Sequence, residues 1–153
     1  MFRNLISRLF GQDEPTTRLS GQDAEVALAA LLVRVARADD RYSKEEEQRI
    51  DRILARRRGL DMNEAAERRA AAEMIEAEAP DTVRFTRLIK DRIALEDRSE
   101  ILAALWEVTY ADGTRSPAEE SLVRLVAGLM GVSDLDSGLI RQRVTREMGL
   151  DEA

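Results

Sequence analysis

The chain has 153 residues, enough for one domain with a buried core, and carries 30 acidic against 24 basic side chains for a formal charge of −6. It contains no Cys and no His, which excludes disulfides, zinc–thiolate sites, thiol nucleophiles and every Ser–His–Asp or Cys–His hydrolytic arrangement. The acidic balance argues against nucleic acid as the main partner, and a composition rich in Ala, Leu, Arg and Glu but poor in aromatics is that of packed helices.

Residues 1–10 read MFRNLISRLF, with Phe2, Leu5, Ile6, Leu9 and Phe10 on one helical face and Arg3, Asn4, Ser7 and Arg8 opposite. This amphipathic helix is expected to dock on its own domain or on a partner, with peripheral membrane contact as the alternative. Residues 11–22 are polar, contain Pro15 and two Gly, and read as a linker. A helical domain is expected over 23–150. Its first helix runs from Asp23 to about Ala38, its apolar positions including Val26, Ala30, Leu32, Val33, Val35 and Ala36. A second starts after Ser43 and ends near Gly59, a glycine suited to a left-handed stop. The third starts near Asp61, with Glu64 three residues on, and stops before Pro80. Asp81 caps a fourth carrying Val83, Phe85, Leu88 and Ile89. A fifth spans about Glu96 to Tyr110, Ser116-Pro117 opens a sixth that ends at Gly131, and Ser133 or Asp134 opens a seventh reaching about Gly149. No segment alternates at period two, so the expected fold is an all-α single compact bundle of about seven helices. No apolar run reaches transmembrane length and no secretory leader is evident, so the expected compartment is the cytoplasm.

Two stretches of the chain match each other. Ala38-Asp39-Asp40-Arg41-Tyr42-Ser43-Lys44-Glu45-Glu46-Glu47 aligns without gaps to Ala111-Asp112-Gly113-Thr114-Arg115-Ser116-Pro117-Ala118-Glu119-Glu120, at a constant offset of 73. Flanking apolar positions keep step: Leu32 with Leu105, Val35 with Val108, Ile50 with Val123, Ile53 with Val126. Self-similarity of this kind implies duplicated supersecondary units. Each unit is a helix, a turn of three or four residues, and a second helix with Ser at its N-cap.

Much of the motif suits capping. Ser43 with Glu46 and Ser116 with Glu119 have capping-box spacing, while Gly113 and Asp40 suit a left-handed position at the end of the preceding helix. Asp39 and Asp112 are harder to place, because a helix C-terminus disfavours negative charge. Two roles are open to them. They cap the following helix across the turn, or they join Glu46 and Glu119 around a hard divalent cation such as Ca, Mg or Mn, which takes oxygen ligands. The loop is too short for an EF-hand.

The doubled pattern A-D-(D/G)-x-x-S-x-x-E between apolar helices resembles the TerB family of tellurite-resistance proteins, whose helical domain also stands at the front of the DjlA type of J-domain co-chaperone. The likeness covers roughly Gly21 to Leu150 and is most specific over Trp106-Glu107-Val108-Thr109-Tyr110-Ala111-Asp112-Gly113. Asp40 departs from it, standing where the family prefers Gly. The resemblance implies an all-α bundle in which two repeats pack about a pseudo-twofold. Its acidic positions fall on Asp39, Glu46, Asp112 and Glu119, which would face one another as metal ligands or as a charged docking surface. No J-domain follows here, so a chaperone role is not implied by this chain alone.

The expected function is therefore that of a non-catalytic, cytoplasmic accessory protein of tellurite resistance or stress response, binding a divalent cation through its acidic turns. The alternative is a module that recruits protein partners, held beside a membrane by residues 1–10. An enzyme is disfavoured. Glu107 and Asp112 are five residues apart and do not share a helix face, Lys44 and Lys90 belong to no Ser–Lys motif, and no phosphate loop is present. The Arg56-Arg57-Arg58 run reads as a solvated helix end favoured by the dipole rather than as a phosphate grip.

Overall fold

The computed structural model describes residues 21–150. The expected helix over residues 1–10 and nearly all of the expected linker over 11–22 lie outside them. Among the described residues the chain forms seven α-helices and no strand: α1 (Gly21–Ala36), α2 (Lys44–Arg58), α3 (Met62–Glu78), α4 (Thr82–Lys90), α5 (Arg98–Thr109), α6 (Pro117–Leu129) and α7 (Asp134–Glu147). A 3₁₀ turn, Leu95–Asp97, precedes α5. None of these helices is long and apolar enough to cross a membrane.

The helix boundaries follow from local chemistry. Ser43, Asp61, Asp81, Ser116 and Ser133 each accept a hydrogen bond from a backbone amide of the first turn they open. Gly59 takes φ 64° and its N–H donates to Ala55 O, ending α2 in a left-handed cap. The helix expected from Glu96 starts instead as the 3₁₀ turn, because Asp97 has helical dihedrals and makes no side-chain cap bond. α1 begins at Gly21, two residues before the expected start, and ends at Ala36.

Helices α1 and α5 form the centre. Every residue of α1 from Val26 to Val33 is buried, and on α5 Ile101, Leu102, Ala104, Leu105, Trp106 and Val108 are buried. A helix apolar on all sides belongs inside, and α1 and α5 pack against each other. The other helices surround them with a symmetry visible in the contacts. α2 packs on both α1 and α5, and α6 does the same. α3 packs on α1 and α2, and α7 packs on α5 and α6. The duplicated unit therefore has three helices, α1–α2–α3 and α5–α6–α7, one more than the sequence match reveals. α4 and the 3₁₀ turn connect the halves. The matched apolar pairs Leu32/Leu105, Val35/Val108, Ile50/Val123 and Ile53/Val126 are all buried.

Guanidinium–carboxylate pairs tie the outer helices together. Arg34 on α1 reaches Glu76 on α3 (3.1 Å) and the carbonyl of Pro80 (2.6 Å). Arg69 on α3 holds Asp51 on α2 (2.7 Å), and the Trp106 indole N–H donates to Ser137 Oγ on α7 (3.2 Å).

Candidate functional site

The two turns, residues 37–43 between α1 and α2 and residues 110–116 between α5 and α6, are built alike. Each is longer than the three or four residues expected, because α1 and α5 stop short of the motif. In the first, Asp39 Oδ1 accepts the N–H of Arg41 (3.0 Å) and Asp40 adopts φ 63°. In the second, Asp112 Oδ1 accepts the N–H of Thr114 (3.0 Å) and Gly113 adopts φ 77°. Each aspartate thus closes its own turn two residues on. Neither caps the first turn of the following helix, where Ser43 and Ser116 act instead.

The copies diverge at their glutamates. Ser43 and Glu46 form a reciprocal capping box: Glu46 N–H donates to Ser43 Oγ (3.1 Å), and Ser43 N–H donates back to Glu46 Oε1 (2.9 Å), as does its hydroxyl (3.1 Å). In the second copy only the first half forms, Glu119 N–H donating to Ser116 Oγ (3.2 Å). The expected capping box at Ser116 and Glu119 is therefore half made. Pro117 at the first helical position explains the difference. It constrains the residue before it, and Ser116 sits at φ −115°, ψ 108° where Ser43 sits at −76°, 160°. The Glu119 carboxyl is released from its own helix end.

It turns toward the other repeat. Glu119 is 3% exposed and Glu46 2% exposed, and the Glu119 carboxyl lies within hydrogen-bonding reach of both Glu46 and Asp39. Folding thus brings three of the four sequence-predicted acids into one neighbourhood across the two halves. Asp112 is exposed, its carboxylate held by the N–H and hydroxyl of its neighbour Thr114 (3.0 and 2.7 Å).

Glu119 Oε1 is fully buried and has no hydrogen-bond donor. Its neighbours are carboxylates, which accept and do not donate when ionised. Burial, then the adjacent Glu46 and Asp39, push the Glu119 carboxyl up to about 10, so a proton stays on it at neutral pH. Burial also raises Glu46, opposed by its hydrogen bonds to Glu119 and Ser43. The pair needs something positive between its oxygens: a shared proton or a cation. Among the described residues, no three acidic side chains already enclose a point suited to a metal ion.

A sequence reading gives Glu46 and Glu119 equal roles and misses that, of the four acids, only Glu119 has a buried carboxyl oxygen with no donor among the described residues. The available signal was Pro117, where the first copy has Lys44.

A family model described as the tellurite resistance protein TerB matches residues 25–142, from α1 into α7 and across both turns. No curated protein and no solved structure matches the chain.

Proposed function

The chain belongs to the TerB family, and on that footing we propose that it is a non-catalytic accessory of tellurite resistance and stress response that binds a divalent cation between its two turns. The observation that carries the reading is the buried, donorless Oε1 of Glu119 beside Glu46 and within reach of Asp39. A buried carboxylate pair is strongly unfavourable unless neutralised. A hard cation supplies two positive charges and accepts oxygen ligands alone, which suits a site with neither His nor Cys. Ca, Mg or Mn is the matching class. Glu119 and Glu46 are the central ligands, Asp39 stands beside them, and Asp112 is left on the periphery. Cation binding displaces the proton from Glu119, so affinity rises with pH.

Calorimetric titration of Ca, Mg and Mn at pH 8 tests the site, with the parent beside Glu119→Gln, Glu46→Gln, Asp39→Asn and Asp112→Asn. At least one metal is expected to bind the parent with release of a proton, seen as heat that depends on the buffer. Glu119→Gln abolishes binding, Asp39→Asn weakens it and Asp112→Asn leaves it nearly unchanged. Absence of binding by the parent at millimolar metal, or equal binding by Glu119→Gln, removes the cation and leaves a proton-bridged structural pair.

A further inference from the structure

Away from the turns, α1, α2, α5 and α7 and the segment after α4 line a cleft of about 870 Å³. Glu25 lines it at the start of α1, eleven residues before that helix ends at Ala36, or roughly 17 Å of helix, while Arg49 and Glu107 carry its wall toward the turns. We propose that this cleft binds a small anion, a phosphate- or carboxylate-bearing molecule, through Arg92.

Arg92 is 4% exposed and is the only arginine among the described residues to be buried so completely. Its guanidinium carries five N–H donors, yet among the described residues its one side-chain bond is from Nη1 to the carbonyl of Leu88 (3.1 Å), and it forms no ion pair. That bond caps the end of α4, whose dipole favours a cation there. One carbonyl and a dipole leave the other Arg92 donors without a protein partner among the described residues, and none of them is sealed from solvent.

The cleft's own buried acids do not answer it. Glu25 is gripped by Arg57 (3.0 Å) and Arg58 (3.6 Å), and Glu107 by Arg49 (3.2 Å) and Arg56 (2.8 Å). With Glu100, which also reaches Arg57 (3.6 Å), three carboxylates already face four guanidiniums. Asp97, Glu100 and Glu147 stand on the exposed rim. The lining acids are thus engaged by other arginines or stand on the rim, and Arg92 offers the cleft a guanidinium fork with donors to spare for two oxygens side by side, the geometry of carboxylate and phosphate recognition. Its volume falls in the range of small-molecule sites, and Ile53, Ile101 and Val144 offer apolar wall to the body of a ligand. The inference is independent of the cation reading, since it uses none of the same residues.

The test uses the full chain in EDTA at constant ionic strength, which silences the cation site. Inorganic phosphate and citrate are titrated separately, following the Arg92 Nε–Hε resonance and the heat of binding. Saturable binding of at least one probe with movement of that resonance is expected, and the preferred probe assigns the oxyanion to phosphate or carboxylate. Arg92→Met should weaken binding by about tenfold or more, while Arg92→Lys, which keeps the charge and loses the fork, falls between. A stationary Arg92 resonance with both probes at tens of millimolar overturns the proposal. So does unchanged affinity in a folded Arg92→Met, which leaves Arg92 as a helix cap. If Arg92→Met does not fold, the parent resonance and Arg92→Lys decide.

Discussion

At the scale of single residues, Glu119 decides the most. An unfolded chain releases this proton near the ordinary value of 4.5, whereas burial beside Glu46 and Asp39 holds it in the folded protein up to about 10. With the folded value raised, the stability linked to this group is complete below about 4.5 and is lost as pH climbs toward 10. Metal-free protein should therefore lose stability between pH 5 and 9, at a slope no steeper than about 1.4 kcal/mol per pH unit for one proton. Glu119→Gln imitates the protonated acid and should flatten that slope, so that at pH 9 in EDTA it is the more stable form. Urea midpoints across the interval measure this, and parallel curves for parent and variant would show that Glu119 ionises freely. Added cation should narrow the gap at high pH by stabilising only the parent.

At the scale of elements, two chemically similar helix starts behave differently. α2 opens with a complete capping box and α6 with half of one. Ser43→Ala should cost about 1–2 kcal/mol and Ser116→Ala about 1 kcal/mol or less, since the former also removes a bond to Glu46 and loosens the carboxyl pair. Denaturant midpoints of the two variants compare them directly, and equal losses would mean that the hydroxyl's own bond to Glu46 contributes nothing. The preceding turns give a second contrast. Asp40 holds φ 63° where its counterpart Gly113 holds φ 77°, and a side chain in that left-handed region is strained. Asp40→Gly should be neutral or stabilising by up to about 1 kcal/mol, read from the thermal midpoint.

At the scale of the whole molecule, the two three-helix halves share one interior, so neither is expected to unfold alone. Leu105 on α5 is fully buried within it, as is its counterpart Leu32 on α1. Leu105→Ala should cost about 2–5 kcal/mol. Far-UV circular dichroism and Trp106 fluorescence should report one coincident transition, because Trp106 sits in α5 and bonds to Ser137 in α7 while most of the helix signal lies elsewhere. Separate midpoints would show two independent folding units. The same shared interior fixes the distance between the turns, so core substitutions that shift α1 against α5 should weaken cation binding without touching a carboxylate.

The helices and their stops were written locally: Ser43, Asp61, Asp81 and Ser133 as caps, Gly59 as a left-handed end, and apolar residues at helical spacing. Each of these depends on neighbours a few positions away, and so survives in a linear reading. The duplication was legible for the same reason where the matched residues are similar, across α1–α2 and α5–α6. Its third helix was not, because α3 and α7 share a place in the bundle and little of their sequence. The acids Asp39, Glu46, Asp112 and Glu119 could be named from their spacing, but not sorted. Which of them meet depends on how α1 and α5 pack, and Glu119 differs from Glu46 because Pro117 frees its side chain toward a partner 73 positions away. That Arg92 has no acidic partner among the described residues was invisible in the sequence, since pairing depends on neighbours in space. Local chemistry determines the elements, while pairing and desolvation between distant residues belong to the tertiary structure alone.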